Sequence, residues 1–186
     1  MKVTSVTLEG RIVRLEPLRL QHVEPLSAVA LDPELWRWTW DPVTSVADLR
    51  RYVETALAEE VEGRSLPFVI FDRKSGAPIG SSRYGNIAPR HRRLEIGWTW
   101  VGRAWQGKGA NVEAKLLLLT HAFEVLGFQR VEFKTDRLND RSRGALLALG
   151  AREEGVFRKH GVAAGGRIRD TVYYSIIDDE WPEVRR

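Results

Sequence analysis

Two glycines one residue apart stand in the run Trp105-Gln106-Gly107-Lys108-Gly109-Ala110-Asn111, between an alternating apolar segment (Leu94 to Val101) and a long helical pattern starting near Val112. Glycine at such a junction lets the backbone approach a ligand with its N–H groups unobstructed. The helix that follows adds its first-turn donors and the positive end of its dipole. The chemistry this suits is phosphate binding. Gly102-x-x-x-x-Gly107-Lys108 comes close to a nucleoside-triphosphate loop, but Gly109 stands where the Mg²⁺-holding Ser/Thr hydroxyl belongs. The dinucleotide fingerprint G-x-G-x-x-G fails as well, because Val112 occupies its third glycine position. What remains is the diphosphate loop of a coenzyme A site.

Gln106-Gly107-Lys108-Gly109-Ala110-Asn111 resembles the Gln/Arg-x-x-Gly-x-Gly/Ala motif of the GNAT N-acetyltransferase superfamily, departing only at Asn111. Leu8-Glu9-Gly10 through Arg14-Leu15-Glu16-Pro17-Leu18 is similar to the opening strand of its RimJ/RimL-like branch, which acetylates ribosomal-protein N-termini and assorted small amines. Asn139-Asp140-Arg141-Ser142-Arg143, Leu149-Gly150-Ala151 and Glu154-Gly155-Val156-Phe157-Arg158 are similar to that branch's second signature. The resemblance implies a single domain over 1–186 with the GNAT fold. That fold is an α+β architecture with a mixed, mostly antiparallel sheet, splayed central strands and flanking helices. It implies acetyl-CoA as co-substrate, no metal, and a primary amine acceptor, either a protein N-terminus or a small molecule. A homodimer stays open. The alternatives are a small-molecule or antibiotic amine acetyltransferase, and a non-catalytic acyl-CoA-binding module.

Acetyl transfer to an amine requires an anchored donor, a polarised carbonyl, a base for the amine and an acid for the thiolate. The resemblance assigns anchoring to Gln106, Gly107, Lys108, Gly109, Ala110 and Asn111. It assigns the pantetheine arm and the carbonyl to the backbone of Trp98, Thr99 and Trp100, in the manner of an oxyanion hole. Asn139 is a further coenzyme contact or a helix N-cap, for which Asn is favoured in its own right. Ser142, one turn on, reaches the sulfur region or bonds the backbone. Glu95 is the first candidate base, sharing a strand face with Gly97 and Thr99 opposite Leu94, Ile96, Trp98 and Trp100. An ordinary glutamate near pKa 4.3 is too acidic for that task unless buried or acting through water; its alternative is pairing with Arg92 or Arg93. His160 is the second candidate base. Tyr173 and Tyr174 face opposite ways on the last strand, and Tyr174 is the candidate acid. Trp36, Trp38 and Trp40 share one face if their segment is extended, lining an acceptor pocket together with Tyr84 or forming a structural cluster.

The elements that position these groups are legible as periodicities. Ile12 to Leu15 alternates as a strand, and Leu20 to Leu31 is helical until Asp32-Pro33. Ser45 caps a helix running to about Glu62. Phe68 to Phe71 and Ile79 to Tyr84 form a hairpin, followed by the strand at 94 to 101. After the glycine loop, Val112, Leu116, Leu119, Phe123 and Leu126 recur at helical spacing until Gly127. Val131 to Thr135 is a strand, Asn139 to Gly150 a helix, and the strands at 151 to 160 and 168 to 177 close the order. The resemblance further implies that the strand before the glycine loop and the strand after its helix are parallel neighbours that part at one end, as in that fold.

Composition bounds the rest. The 186 residues are 43% hydrophobic and 29% charged, as in a soluble globular chain. No apolar run reaches the roughly 20 residues of a membrane span, and Met1-Lys2-Val3-Thr4-Ser5 does not open a signal peptide. The expected compartment is the cytoplasm. With no cysteine, there is no thiol to carry the acyl group, so transfer is direct. A net charge of +4 suits an anionic coenzyme and is too small to argue for nucleic acid. The basic run Arg90-His91-Arg92-Arg93 is expected to be a solvated turn.

Overall fold

In the computed structural model, residues 3–186 are described. The chain runs β1 (Leu8–Glu9), β2 (Val13–Pro17), α1 (Val23–Ala30), α2 (Val46–Val61), β3 (Leu66–Asp72), β4 (Pro78–Ala88) and β5 (Arg93–Val101). It continues α3 (Ala110–Thr120), β6 (Arg130–Asp136), α4 (Asp140–Ala148), β7 (Arg152–Val162), β8 (Ile168–Ile177) and α5 (Trp181–Val184). The strands form one eight-stranded sheet in the order β1-β2-β3-β4-β5-β6-β8-β7. Every neighbouring pair is antiparallel except β5 and β6, which α3 joins as a crossover. That parallel pair is short. It holds at Arg93↔Arg130, Leu94↔Val131 and Glu95↔Glu132, after which the two strands diverge. The mixed, mostly antiparallel sheet with splayed central strands is therefore as the sequence led one to expect.

One face of the sheet packs its apolar residues (Leu15, Phe68, Tyr84, Leu94, Val131, Tyr174) on α3 and the C-terminal helices, and a second cluster under α1 and α2 holds Leu26, Leu49, Val69 and Trp100. Ser45 caps α2 as expected, its hydroxyl accepting the Asp48 N–H at 3.1 Å. In α3 the buried residues are Ala110, Ala114, Leu118 and Leu119. The stripe read from Val112 and Leu116 is displaced: both are exposed, at 61% and 37%, because small alanines let the helix lie close on the sheet. The basic turn is not wholly free either. Arg92 donates through Nε and Nη2 to Gly127 O, at 3.0 and 2.7 Å, closing the end of the helix that follows the glycine loop.

Strand β5 departs from simple alternation. Arg83 pairs with Gly97 and Ser81 with Trp100, so Trp98 and Thr99 together oppose Ser82, a β-bulge. Trp98 takes φ +50°, a left-handed conformation costly for a bulky aromatic, roughly 1–3 kcal/mol. Its surroundings hold it there. Its ring lies on Gly85, where a Cβ would come within 2.2 Å, and under the Arg83 guanidinium at 4.8 Å; Tyr52 OH donates to its carbonyl at 3.2 Å. The bulge shifts the phase of the strand. Trp98 and Trp100 therefore lie on the Glu95 face, not opposite it, while Thr99 turns to the other face with its Oγ1 2.7 Å from Ser82 Oγ.

The three tryptophans between α1 and α2 do not share a face. Their segment is not extended: Pro33–Leu35 forms a single helical turn capped by Asp32. Trp36 points into the core, its Nε1 donating to Ala30 O at 2.6 Å and its ring against Trp100 and Tyr52. Trp38 is flanked by Arg37 and Arg167, and Trp40 lies over Arg169.

Candidate functional site

Where β5 and β6 part, the molecule opens into a cleft of about 1540 Å³. Its walls come from segment 34–43, the diverging halves of β5 and β6, the starts of α3 and α4, and three residues of the β7–β8 hairpin, His160, Arg169 and Thr171.

The glycine loop forms one end. Gly107 and Gly109 have φ of +72° and +87°, which residues with a Cβ adopt at a cost. A Cβ at Gly107 would meet nothing within 4 Å, whereas one at Gly109 would meet Ile12 Cδ1 at 2.9 Å. The double turn leaves a continuous row of main-chain donors. From Gly107 to Val112, no N–H has a protein acceptor among the described residues; the first helical bond runs from Glu113 N to Gly109 O. The acid of this first turn does not intrude, because the Glu113 carboxylate accepts the N–H groups of Arg11, Ile12 and Val13 at 2.9, 2.6 and 2.8 Å.

Side chains hold that loop and add charge to it. Gln106 does not point outward: its Nε2 donates to Val101 O at 2.8 Å and its Oε1 accepts from Arg141 Nη1 at 2.6 Å. It thereby ties the end of β5 to α4 and brings a guanidinium to the mouth of the loop. Lys115, one turn beyond Asn111, donates to Asn111 Oδ1 at 2.6 Å, and burial lowers its ammonium to about 8. Lys108 is exposed, and Ala110 is buried beneath the loop.

Glu95 is buried at the base of the split. Its Oε2 accepts from Lys134 Nζ at 2.8 Å and Asn86 Nδ2 at 2.6 Å, so its ion partner is Lys134 of β6 and not Arg92 or Arg93. Its Oε1 has no hydrogen bond among the described residues and lies over Gly97, where a Cβ would stand 2.9 Å away. Burial alone would depress Lys134, but the Glu95 charge and hydrogen bond outweigh it and its pKa is raised. His160 lies on the cleft wall opposite, with Nδ1 2.9 Å from Thr171 Oγ1.

At the start of α4, Asn139 accepts the Ser142 N–H at 3.1 Å and is the N-cap. Its amide and the Ser142 hydroxyl have no other partner among the described residues, and both residues line the cleft. Two expectations are corrected. Tyr84 is fully buried and its hydroxyl donates to Leu118 O at 2.6 Å, so it belongs to the core and not to an acceptor pocket. Tyr174 is also sealed. Its OH accepts from Arg143 Nε at 3.2 Å and donates to Glu153 Oε2 at 3.0 Å, on the helix-covered face and away from the cleft. Tyr173 is the tyrosine on the open face, stacked on Phe157 at 4.2 Å. Trp36 reaches the cleft only as part of the core floor.

Sequence reasoning missed Asn86, Lys115, Lys134, Arg141 and Arg169. The period-two pattern of β6 marks Lys134 as outward-facing and so solvated, and only the pairing of β6 with β5 shows that its ammonium meets Glu95. Arg141 lies inside the quoted Asn139–Arg143 run. Nothing in the sequence singles out Arg169.

Comparison with known proteins agrees with this fold. The model of the acetyltransferase (GNAT) domain matches residues 13–152. A putative ribosomal N-acetyltransferase, YdaF of Bacillus subtilis (strain 168), is 35% identical over 106 residues, 57% of each chain, so the match spans little more than half of that relative. The crystal structure of a putative acetyltransferase from T. thermophilus is 40% identical, with TM-score 0.88 over 100% of this chain and 96% of that one. Mycobacterium smegmatis RimJ, solved in complex with CoA-disulfide, is 27% identical, with TM-score 0.80 over 96% of this chain and 88% of its own.

Proposed function

We propose, from the premise that this chain belongs to the acetyltransferase (GNAT) family of acyltransferases, that it transfers an acetyl group from acetyl-CoA directly to a primary amine. A protein N-terminal amine of the RimJ/RimL kind is the favoured acceptor class. The observation that carries the donor assignment is the row of unpartnered N–H groups from Gly107 to Val112. Such a row at a helix start suits a diphosphate, and Arg141 and Lys115 add positive charge beside it. A similar RimJ protein is described with CoA-disulfide.

Acetyl-CoA supplies the activated acyl carbonyl. The chain would hold it with the loop from Gln106 to Asn111, with the strand backbone at the Trp98–Thr99 bulge, and with Asn139 and Ser142. Glu95 Oε1 faces the cleft and would take the amine proton through a water, while Lys134 and Asn86 fix the carboxylate from the other oxygen. The acceptor class follows from magnitudes. An α-amine with pKa about 7.7–8.0 is partly neutral near pH 7, whereas a lysine near 10.4 demands about 3.5 kcal/mol more to lose its proton.

The test mixes the protein with acetyl-CoA and a panel of amines and peptides and follows coenzyme A release. Gly107→Glu places a charge into open space beside the donors, so it should weaken acetyl-CoA binding and lower turnover together while the fold persists. Unchanged binding in that variant would refute the loop assignment.

A further inference from the structure

At the end of the cleft away from the glycine loop, Arg169 stands out among the basic residues. It is only 6% exposed and lines the cleft, yet no carboxylate lies within salt-bridge distance of it among the described residues. Its Nε donates to Thr171 Oγ1 at 3.1 Å and its Nη1 to Trp38 O at 3.0 Å. Nη2 has no partner among the described residues. The nearby buried carboxylate, Asp136, is engaged by Arg167 and by the Leu138 N–H. The Trp40 ring covers the guanidinium at 4.1 Å, and Trp40 itself rests on Gly161, where a Cβ would come within 2.8 Å. A guanidinium removed from water with no carboxylate in contact is unfavourable unless something anionic arrives.

His160 joins it through one hydroxyl. Thr171 Oγ1 accepts from Arg169 Nε, and its proton has one acceptor within reach, His160 Nδ1 at 2.9 Å. In the tautomer that satisfies this buried hydroxyl, the Thr171 O–H donates to Nδ1 and the ring N–H lies on Nε2. In that tautomer His160 offers an N–H donor at Nε2. Two donors, Arg169 Nη2–H and His160 Nε2–H, are tethered to the same oxygen beneath Trp40.

We propose that Arg169 and His160 form a carboxylate pocket, and that the acceptor is an amine bearing a carboxylate a few atoms from its nitrogen. This rests on the amine-acceptor assignment above. The carboxylate has two sources: the α-carboxylate of a free amino acid, or an acidic side chain next to a peptide N-terminus.

Calorimetry on the full chain saturated with coenzyme A separates them, using L-serine against L-serinamide and Ser-Glu-amide against Ser-Gln-amide. In one arm the acid should bind about tenfold to a hundredfold tighter than its neutral partner, as charge-assisted hydrogen bonds give. Arg169→Gln should erase that ratio, and His160→Gln should reduce it. Arg169→Lys, which keeps the charge and guards against a folding defect, should retain part of it. Equal affinities in both arms, a ratio unaltered in Arg169→Gln, or no binding by any of the four probes would each overturn the pocket. Coenzyme A release keeps the two assignments apart. Arg169-dependent binding without turnover leaves the pocket and removes the transferase; equal turnover of acidic and neutral amines does the reverse.

Discussion

The two ends of the cleft are made of different material. The proposed coenzyme end is mostly main chain: donors from Gly107 to Val112, aimed by two left-handed glycines and the start of α3. The proposed acceptor end is side chain: Trp38, Trp40, His160 and Arg169, drawn from segments about 130 residues apart, as in the bond from Arg169 to Trp38 O. Backbone donors tolerate almost any side chain that leaves the turn intact, so this end is set by a few glycines. The other end depends on each residue's identity, so one substitution there can change the preferred acceptor without disturbing the coenzyme.

Glu95→Gln is the severest test of this division. Loss of a general base lowers turnover by roughly 10²–10⁴-fold, while acetyl-CoA affinity should stay as it was, since the carboxylate lies off the loop. A rapid-quench or coenzyme-release assay beside calorimetry reads both quantities. Turnover within about fivefold of the parent would remove Glu95 from proton transfer and leave it as the partner of Lys134. Gly107→Glu is the mirror experiment. It should weaken acetyl-CoA binding by roughly a hundredfold, with acceptor selectivity unchanged wherever residual turnover can be measured.

The same contrast explains how much the sequence disclosed. Glycines, caps and periodicities are local signals, so the loop, the Ser45 cap and the element order could be read in advance, while the splay of β5 from β6 followed from the family resemblance. The Trp98 bulge could not, because it arises from a mismatch between two strands and from the room that Gly85 leaves for an indole. The bulge reversed the faces assigned to Trp98, Thr99 and Trp100. Tyr84 and Tyr174 misled for a related reason: a strand tyrosine reads the same whether its hydroxyl meets a ligand or, as here, Leu118 O and Glu153. Arg169 was invisible because its significance is a missing partner, which only tertiary packing reveals.

Lys115 sharpens the coenzyme half through pH. Its ammonium titrates near 8 when the cleft is free, and a bound diphosphate favours the charged form and raises that value. Affinity should therefore be flat below pH 8 and fall as pH rises above it, by up to about tenfold per unit until the bound-state pKa is passed. Lys115→Gln should bind more weakly at pH 7 and lose the slope. A parent protein whose coenzyme affinity is constant from pH 7 to about 9.5 would place Lys115 away from the phosphates.

The smallest expected effect bears on which residues belong to the acceptor end at all. Tyr84→Phe removes a buried hydroxyl that donates to Leu118 O within α3 and leaves the ring packed at right angles to Phe68, with centroids 5.6 Å apart. The deletion should lower stability by about 1 kcal/mol, the net worth of one buried hydrogen bond, since Leu118 O keeps the His121 N–H. Acceptor KM and the acid-to-amide preference should not move, because no part of the phenol reaches the cleft. Denaturant unfolding beside acceptor kinetics separates the two outcomes. A changed KM at unchanged stability would return Tyr84 to the acceptor wall and blur the boundary between the core and the side-chain end of the cleft.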